Sequence, residues 1–150
     1  MNPYLDEVKS EIRRIDHLLY VTLKYTRTVD IIKSIVDRMI SLMDHGFIGL
    51  LNETKKRRKE FTIPPQPRKR CELLRELYPE DKKLLKFVDT YLFLRDISQT
   101  KYERIGDFRK HVAMIIELKP GEVQHINIEQ LHEFYQAMKD FLEYLTGKLK

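Results

Sequence analysis

Between Tyr4 and His45 the chain contains neither glycine nor proline, and its apolar residues return at Leu5, Val8, Ile12, Ile15 and Leu19. This is the spacing of one face of an α-helix. The stretch therefore predicts a long helix that buries that face. The pattern resumes at Ile32, Ile35, Val36, Met39, Ile40, Met43, Phe47, Leu50 and Leu51. Between the two runs lies Tyr25-Thr26-Arg27-Thr28-Val29, where β-branched residues and Thr28 as an N-cap predict a break. The competing reading is one longer helix that breaks at His45-Gly46.

Pro64, Pro65 and Pro67 exclude helix from Phe61 to Pro67, because proline lacks the N–H and clashes with the preceding turn. Arg68 to Tyr78 then reads as a short helix with Leu73, Leu74 and Leu77 inward, stopped by Pro79. Glu80 to Ser98 is the next, with Leu84, Leu85, Val88, Tyr91, Leu92 and Leu94 as its apolar stripe. Past Gln99 the period changes from helix to strand. Val112, Met114, Ile116 and Leu118 form one alternating set, and Arg109, His111 and Glu117 fall in the other. Lys119-Pro120-Gly121-Glu122 is a turn signal, and alternation continues to Ile128. A small β-hairpin is predicted, with a continuous helix through Met114 as its competitor. Glu129 to Leu149 closes the chain as an amphipathic helix. The expectation is one mainly α domain over residues 1–150.

The net charge of +5 is unevenly placed. Residues 52–70 hold Lys55, Lys56, Arg57, Arg58, Lys59, Arg68, Lys69 and Arg70 against Glu53 and Glu60, so this basic, Pro-rich segment carries more than the whole net charge. A single-sign cluster attracts phosphate backbones or acidic partners, and the bland alternative is a solvated helix end with a loop behind it. Cys71 is the single cysteine, which excludes an intrachain disulfide and a zinc site of the usual spacing. It reads as an ordinary helix residue. His17, His125 and His132 lack ligand-spaced company, so neither metal nor cofactor is expected. No apolar run approaches the roughly 18 residues of a membrane span. A soluble cytoplasmic protein is expected, and abundant Lys and Glu lean towards a heat-adapted source.

The remaining candidate is Arg104-Ile105-Gly106-Asp107-Phe108-Arg109-Lys110-His111. Arginine followed by four to six residues and a histidine also occurs at Arg38 to His45, and with 12 Arg and 5 His in the chain about one match is expected by chance. Position separates the two. Arg38 and His45 lie in a helix whose neighbours serve the core. Arg104 and His111 lie in the polar stretch ahead of the last helix. If Lys101 to His111 is helical, Arg104 and His111 share a face, and Asp107 sits one turn from His111, placed to fix its tautomer and raise its pKa.

With the order of its elements, this motif resembles the HEPN family of small helical domains, in divergent form. The likeness rests on two long helices, the Pro-Pro-Gln-Pro-Arg-Lys-Arg-Cys-Glu-Leu-Leu stretch, a helix ending near Leu94-Arg95, the Arg-to-His motif and a last amphipathic helix. The resemblance implies an up-and-down bundle of about five helices, here with a hairpin before the last. It also implies a homodimer that brings two motifs together, with metal-independent ribonuclease activity held in check by a nucleotidyltransferase-type or other antidote protein. Arg104 and His111 are the matching residues. The chain departs from the family pattern at Ile105, in the six intervening residues and in the hairpin. RNA cleavage by attack of the 2′-hydroxyl needs a proton carrier and charge stabilisation at phosphorus. His111 suits the first and Arg104 the second, with Asp107 orienting. The other class is a non-catalytic dimerisation or adaptor module with a basic contact patch.

Overall fold

Asn2 opens the first helix, its side-chain oxygen accepting the Tyr4 and Leu5 N–H groups at 3.0 and 3.2 Å, with Pro3 in the first turn. The computed structural model describes residues 2–58 and 60–149. Helix α1 (Pro3–His17) passes into a π-helical turn (Leu18–Thr22) and a last α-helical turn (Leu23–Tyr25). The chain breaks where the β-branched residues predict, and Thr28 caps α2 (Val29–Arg57) by accepting the Ile31 N–H at 3.4 Å. There is no break at His45-Gly46. Gly46 is buried, and a Cβ on it would stand 2.6 Å from Phe141 Cζ and 2.8 Å from Leu145 Cδ1. This glycine admits a close helix contact rather than a turn.

After α2 the proline-bearing stretch carries the chain back before α3 (Pro67–Leu77) begins with Pro67 in its first turn. Arg70 of α3 meets Asp44 of α2, and Tyr78 just beyond α3 meets Thr54, so α2 and α3 run in the same direction. A strict up-and-down order would have them opposed. The other four helices do alternate: α4 (Lys82–Gln99), capped by Asp81, opposes α2 through Tyr91 to Asp44 and Ser98 to Asp37, and α5 (Ile128–Leu149) opposes α1 and its π-helical extension through Tyr135 to Asp16 and His132 to Tyr20. Among the described residues the bundle is therefore mainly helical, with five helices and one parallel neighbour pair.

The hairpin forms and gains a strand. β1 (Tyr102–Ile105), β2 (Ala113–Lys119) and β3 (Glu122–Asn127) make an antiparallel meander in that order, with Gly121 at φ +82° in the β2–β3 turn. Met114 pairs with Arg104 on one side and Ile126 on the other. Met114, Ile116 and Ile126 are buried against the bundle, as the alternation predicts. The core is continuous through α2, whose Ile32, Ile35, Val36, Met39, Leu42, Met43, Leu50 and Leu51 are fully buried. No helix among the described residues is long and apolar enough to cross a membrane.

Candidate functional site

The stretch from Lys101 to His111 is not a helix, so the helical placement of Arg104, Asp107 and His111 does not hold. Arg104 lies in β1, and Gly106 at φ +67° and Phe108 at φ +68° turn the chain sharply after it. Left-handed backbone in two residues so close together is incompatible with a right-handed helix. Arg104 and Asp107 still meet, Nη1 to Oδ2 at 3.8 Å, but the stronger partner of Arg104 is Asp30 in the first turn of α2, Nη2 to Oδ1 at 2.6 Å. That hydrogen bond from Arg104 holds the Asp30 carboxyl below the usual carboxylate range, and in return raises the Arg104 guanidinium. Asp107 does not orient His111. Its Oδ1 accepts the Val29 N–H at 3.0 Å and so caps α2 beside Thr28.

His111 is exposed, and its ring lies over Gly106: a Cβ there would be 2.7 Å from His111 Cδ2. Asp107 and His111 thus lie in the loop that follows β1, with Arg104 in the strand before it, and Arg104 and Asp107 are held by structural partners. Arg104, Asp30 and Asp107 together carry a net negative charge, which opposes the approach of a phosphoryl group. The Arg38–His45 pair is also separated in role. Arg38 reaches across to Glu11 of α1 at 3.3 Å, while His45 is half-buried further along α2.

The basic segment is divided by the fold. Lys55, Lys56, Arg57 and Arg58 stand at the end of α2, whereas Arg68, Lys69 and Arg70 stand at the start of α3, beside Asp44. Asp44 lies ten residues before Thr54, about 15 Å along the helix. Lys59 lies outside the described residues. Arg70 is not a free cation: it is buried, donating to the Pro64 and Pro65 carbonyls at 3.3 and 2.7 Å and to Asp44 at 3.4 Å. Arg68 pairs with Asp96 at 2.7 Å. At the other end, Glu53 is shared by Lys56 and Arg57, and Arg58 pairs with Glu60. A crevice of about 420 Å³ opens there, lined by Arg57, Arg58, Lys148, Tyr78, Thr54 and Glu53 among others. Lys148 comes from α5, and nothing in its local sequence signals this role.

Two other surfaces were not legible in the sequence. An open crevice of about 450 Å³ between α1 and α2 is lined by Ser10, Arg13, Arg14, His17, Leu18 and Arg38. A longer groove of about 920 Å³ between α4 and α5 is floored by Phe87, Phe93, Phe134 and Tyr144. Lys83 and Lys86 line its α4 side, and Glu133, Asp140 and Glu143 its α5 side. Among the described residues no cluster of three or more His, Cys, Asp or Glu is placed to hold a metal ion. Compared with protein-family models, with curated proteins and with solved structures, the chain matches none.

Proposed function

We propose that the protein is an RNA-binding module of the HEPN-like kind, which holds the phosphate backbone at the basic end of α2 and works by binding rather than cleavage. The observation that carries this reading is the crevice where Arg57, Arg58 and Lys148 from two helices surround Tyr78. Three cations from two helices line one opening, with Glu53 beside Arg57 and Glu60 paired to Arg58, and the Tyr78 ring lines it with them. Phosphate contacts supply most of sequence-independent affinity, and aromatic rings add stacking. Binding is favoured over cleavage because the Arg104 fork is engaged by Asp30 and Asp107. The ribonuclease reading keeps one support, the exposed His111 ring on Gly106 in the loop that follows the strand of Arg104.

Self-pairing belongs to the same proposal, through the α4–α5 groove. A two-fold axis along the groove sets α4 of one copy against α5 of its partner. The lysine wall then meets the acidic wall twice, over a shared aromatic floor.

The test is binding and cleavage of a single-stranded RNA measured together in EDTA. Wild type should bind without cutting, and affinity should fall steeply with salt. Replacing Arg57, Arg58 and Lys148 with Gln should flatten the log-log salt dependence by nearly one unit for each phosphate no longer neutralised, roughly 0.7–0.9 each. Cleavage that disappears in His111→Ala would reverse the choice in favour of the ribonuclease. An unchanged salt slope in the triple variant would remove the RNA contact from this crevice.

A further inference from the structure

The crevice between α1 and α2 has no part in the RNA reading. Arg13, Arg14 and His17 come from the last turns of α1, Ser10 from one turn earlier, and Arg38 from α2. No carboxylate among the described residues lines the opening. The acid bonded to these residues is Glu11, which is 2% exposed, and its Oε1 accepts hydrogen bonds from both Arg14 and Arg38. Two guanidiniums on two helices are thereby fixed to one buried oxygen. Each is about half exposed, so donors that do not reach Glu11 remain open to solvent. Arg13 bonds Ser10, at 3.0 Å.

Stability alone does not account for this arrangement. Three arginines crowd one opening with a single carboxylate, Glu11, bonded to two of them. Like charges held together around a concavity are what an oxoanion site requires, since the ligand relieves the repulsion and accepts several charge-assisted hydrogen bonds at once. The backbone supplies a second, independent sign. Leu18, which lines the crevice, is the first residue of the π-helical turn. Such turns are rare and occur often at functional sites.

We propose that Arg13, Arg14, Arg38, His17 and Ser10 form a binding site for a phosphate group, either free phosphate or the phosphate of a small monoester. Arg14 and Arg38 are positioned by Glu11 and present their outer donors to the phosphoryl oxygens. Arg13 adds a third guanidinium beside Ser10, and Ser10 and His17 supply further donors. The crevice, about 450 Å³, is large enough for a phosphate with an organic substituent.

The test is titration of the full chain with inorganic phosphate, and separately with a nucleoside monophosphate, at constant ionic strength. Amide shifts of residues 10–18 and 38 and calorimetry are the readouts. Saturable binding in the millimolar range or tighter is expected, with chloride at equal ionic strength giving none. Arg13→Gln should weaken binding about tenfold or more, which is the scale of one charge-assisted bond removed. Because Arg13 does not touch Glu11, the fold is not at stake in that variant, and Arg38→Lys provides a second that keeps the charge. Arg75→Gln, on α3 and paired with Asp89, should bind as wild type does. Tighter binding of the monophosphate identifies an ester as the ligand, and equal or weaker binding identifies the free ion. No saturable shift with either probe, or undiminished binding in Arg13→Gln, would overturn the proposal.

Discussion

Arg104 and Asp30, 74 residues apart in sequence, form a 2.6 Å hydrogen-bonded ion pair that docks the edge strand β1 onto the first turn of α2. The pair gives Arg104 a structural partner, and it can be checked by titration. The hydrogen bond from Arg104 holds the Asp30 carboxyl low against the opposing effect of desolvation, and the charge of Arg104 adds to the lowering. A depressed carboxyl contributes stability that is present above its unfolded pKa, about 3.9, and is lost as pH falls through the lower folded value. Carboxyl NMR should place the Asp30 midpoint below that of an ordinary aspartate, and Arg104→Gln should return it upward. An Asp30 midpoint that does not move in the variant would mean the pair does not form in solution.

Gly46→Ala should destabilise the fold. The added Cβ would press on the Phe141 ring and Leu145, neither of which can leave the core. Overpacking of this kind costs about 1–3 kcal/mol, against roughly 1 kcal/mol returned by the better helix propensity of alanine. Gly147→Ala, by contrast, should raise stability, because a Cβ there meets nothing within 4 Å. Urea denaturation of the two variants should move in opposite directions.

Cys71 should resist alkylation in the native protein. Burial pushes its thiol up to about 11, with Arg75 and Arg70 only partly opposing the shift. It is also 2% exposed, so both the thiolate and the path to it are scarce. Modification by iodoacetamide at neutral pH should follow the rate of opening of α3. Prompt labelling without unfolding would show that α3 sits more loosely on α2 than the burial of Cys71 and Leu74 requires.

Ala137→Arg tests the paired state. Ala137 lies half-buried in the α4–α5 groove, and a long cation there fills the opening without disturbing the fully buried layer beneath. Sedimentation of wild type should show a dimer that this change converts to monomer, with the helical circular-dichroism spectrum kept and the melting temperature lowered by the loss of pairing. A wild-type monomer at high micromolar concentration would remove the groove from consideration as a self-pairing surface.

The long helices were legible because each repeats its apolar residues over many turns, and Thr28 announces the start of α2 by its chemistry alone. β1 was not. Tyr102 to Ile105 is too short to establish a period, three of its four residues are exposed, and it is a strand only because β2 pairs with it. The same partner dependence hid the functional surfaces. Nothing local distinguishes Arg70 from Lys69, yet one is buried against Asp44 and two proline carbonyls and the other faces solvent. Arg38 looked like half of a chance motif with His45, and its actual partner, Glu11, lies on the neighbouring helix. The nearness of Arg104 in β1 to Asp107 and His111 in the loop after it followed from their closeness in sequence. Their roles did not, because Asp30 and the Val29 amide reach them from another element.

Phe108 holds a left-handed backbone conformation while its side chain is 73% exposed, so no packing repays the strain at that residue. What fixes it is a set of ties to the α1–α2 junction: the Phe108 N–H to the Arg27 carbonyl at 2.5 Å, the Val29 N–H to Asp107, and Arg104 to Asp30. Each tie has one end in residues 27–30 and the other in residues 104–108. Neither segment can open while the other stays closed. The two behave as a single cooperative unit, in which the amide protons of Val29 and Phe108 exchange with solvent through one shared opening, ahead of the buried helices around them.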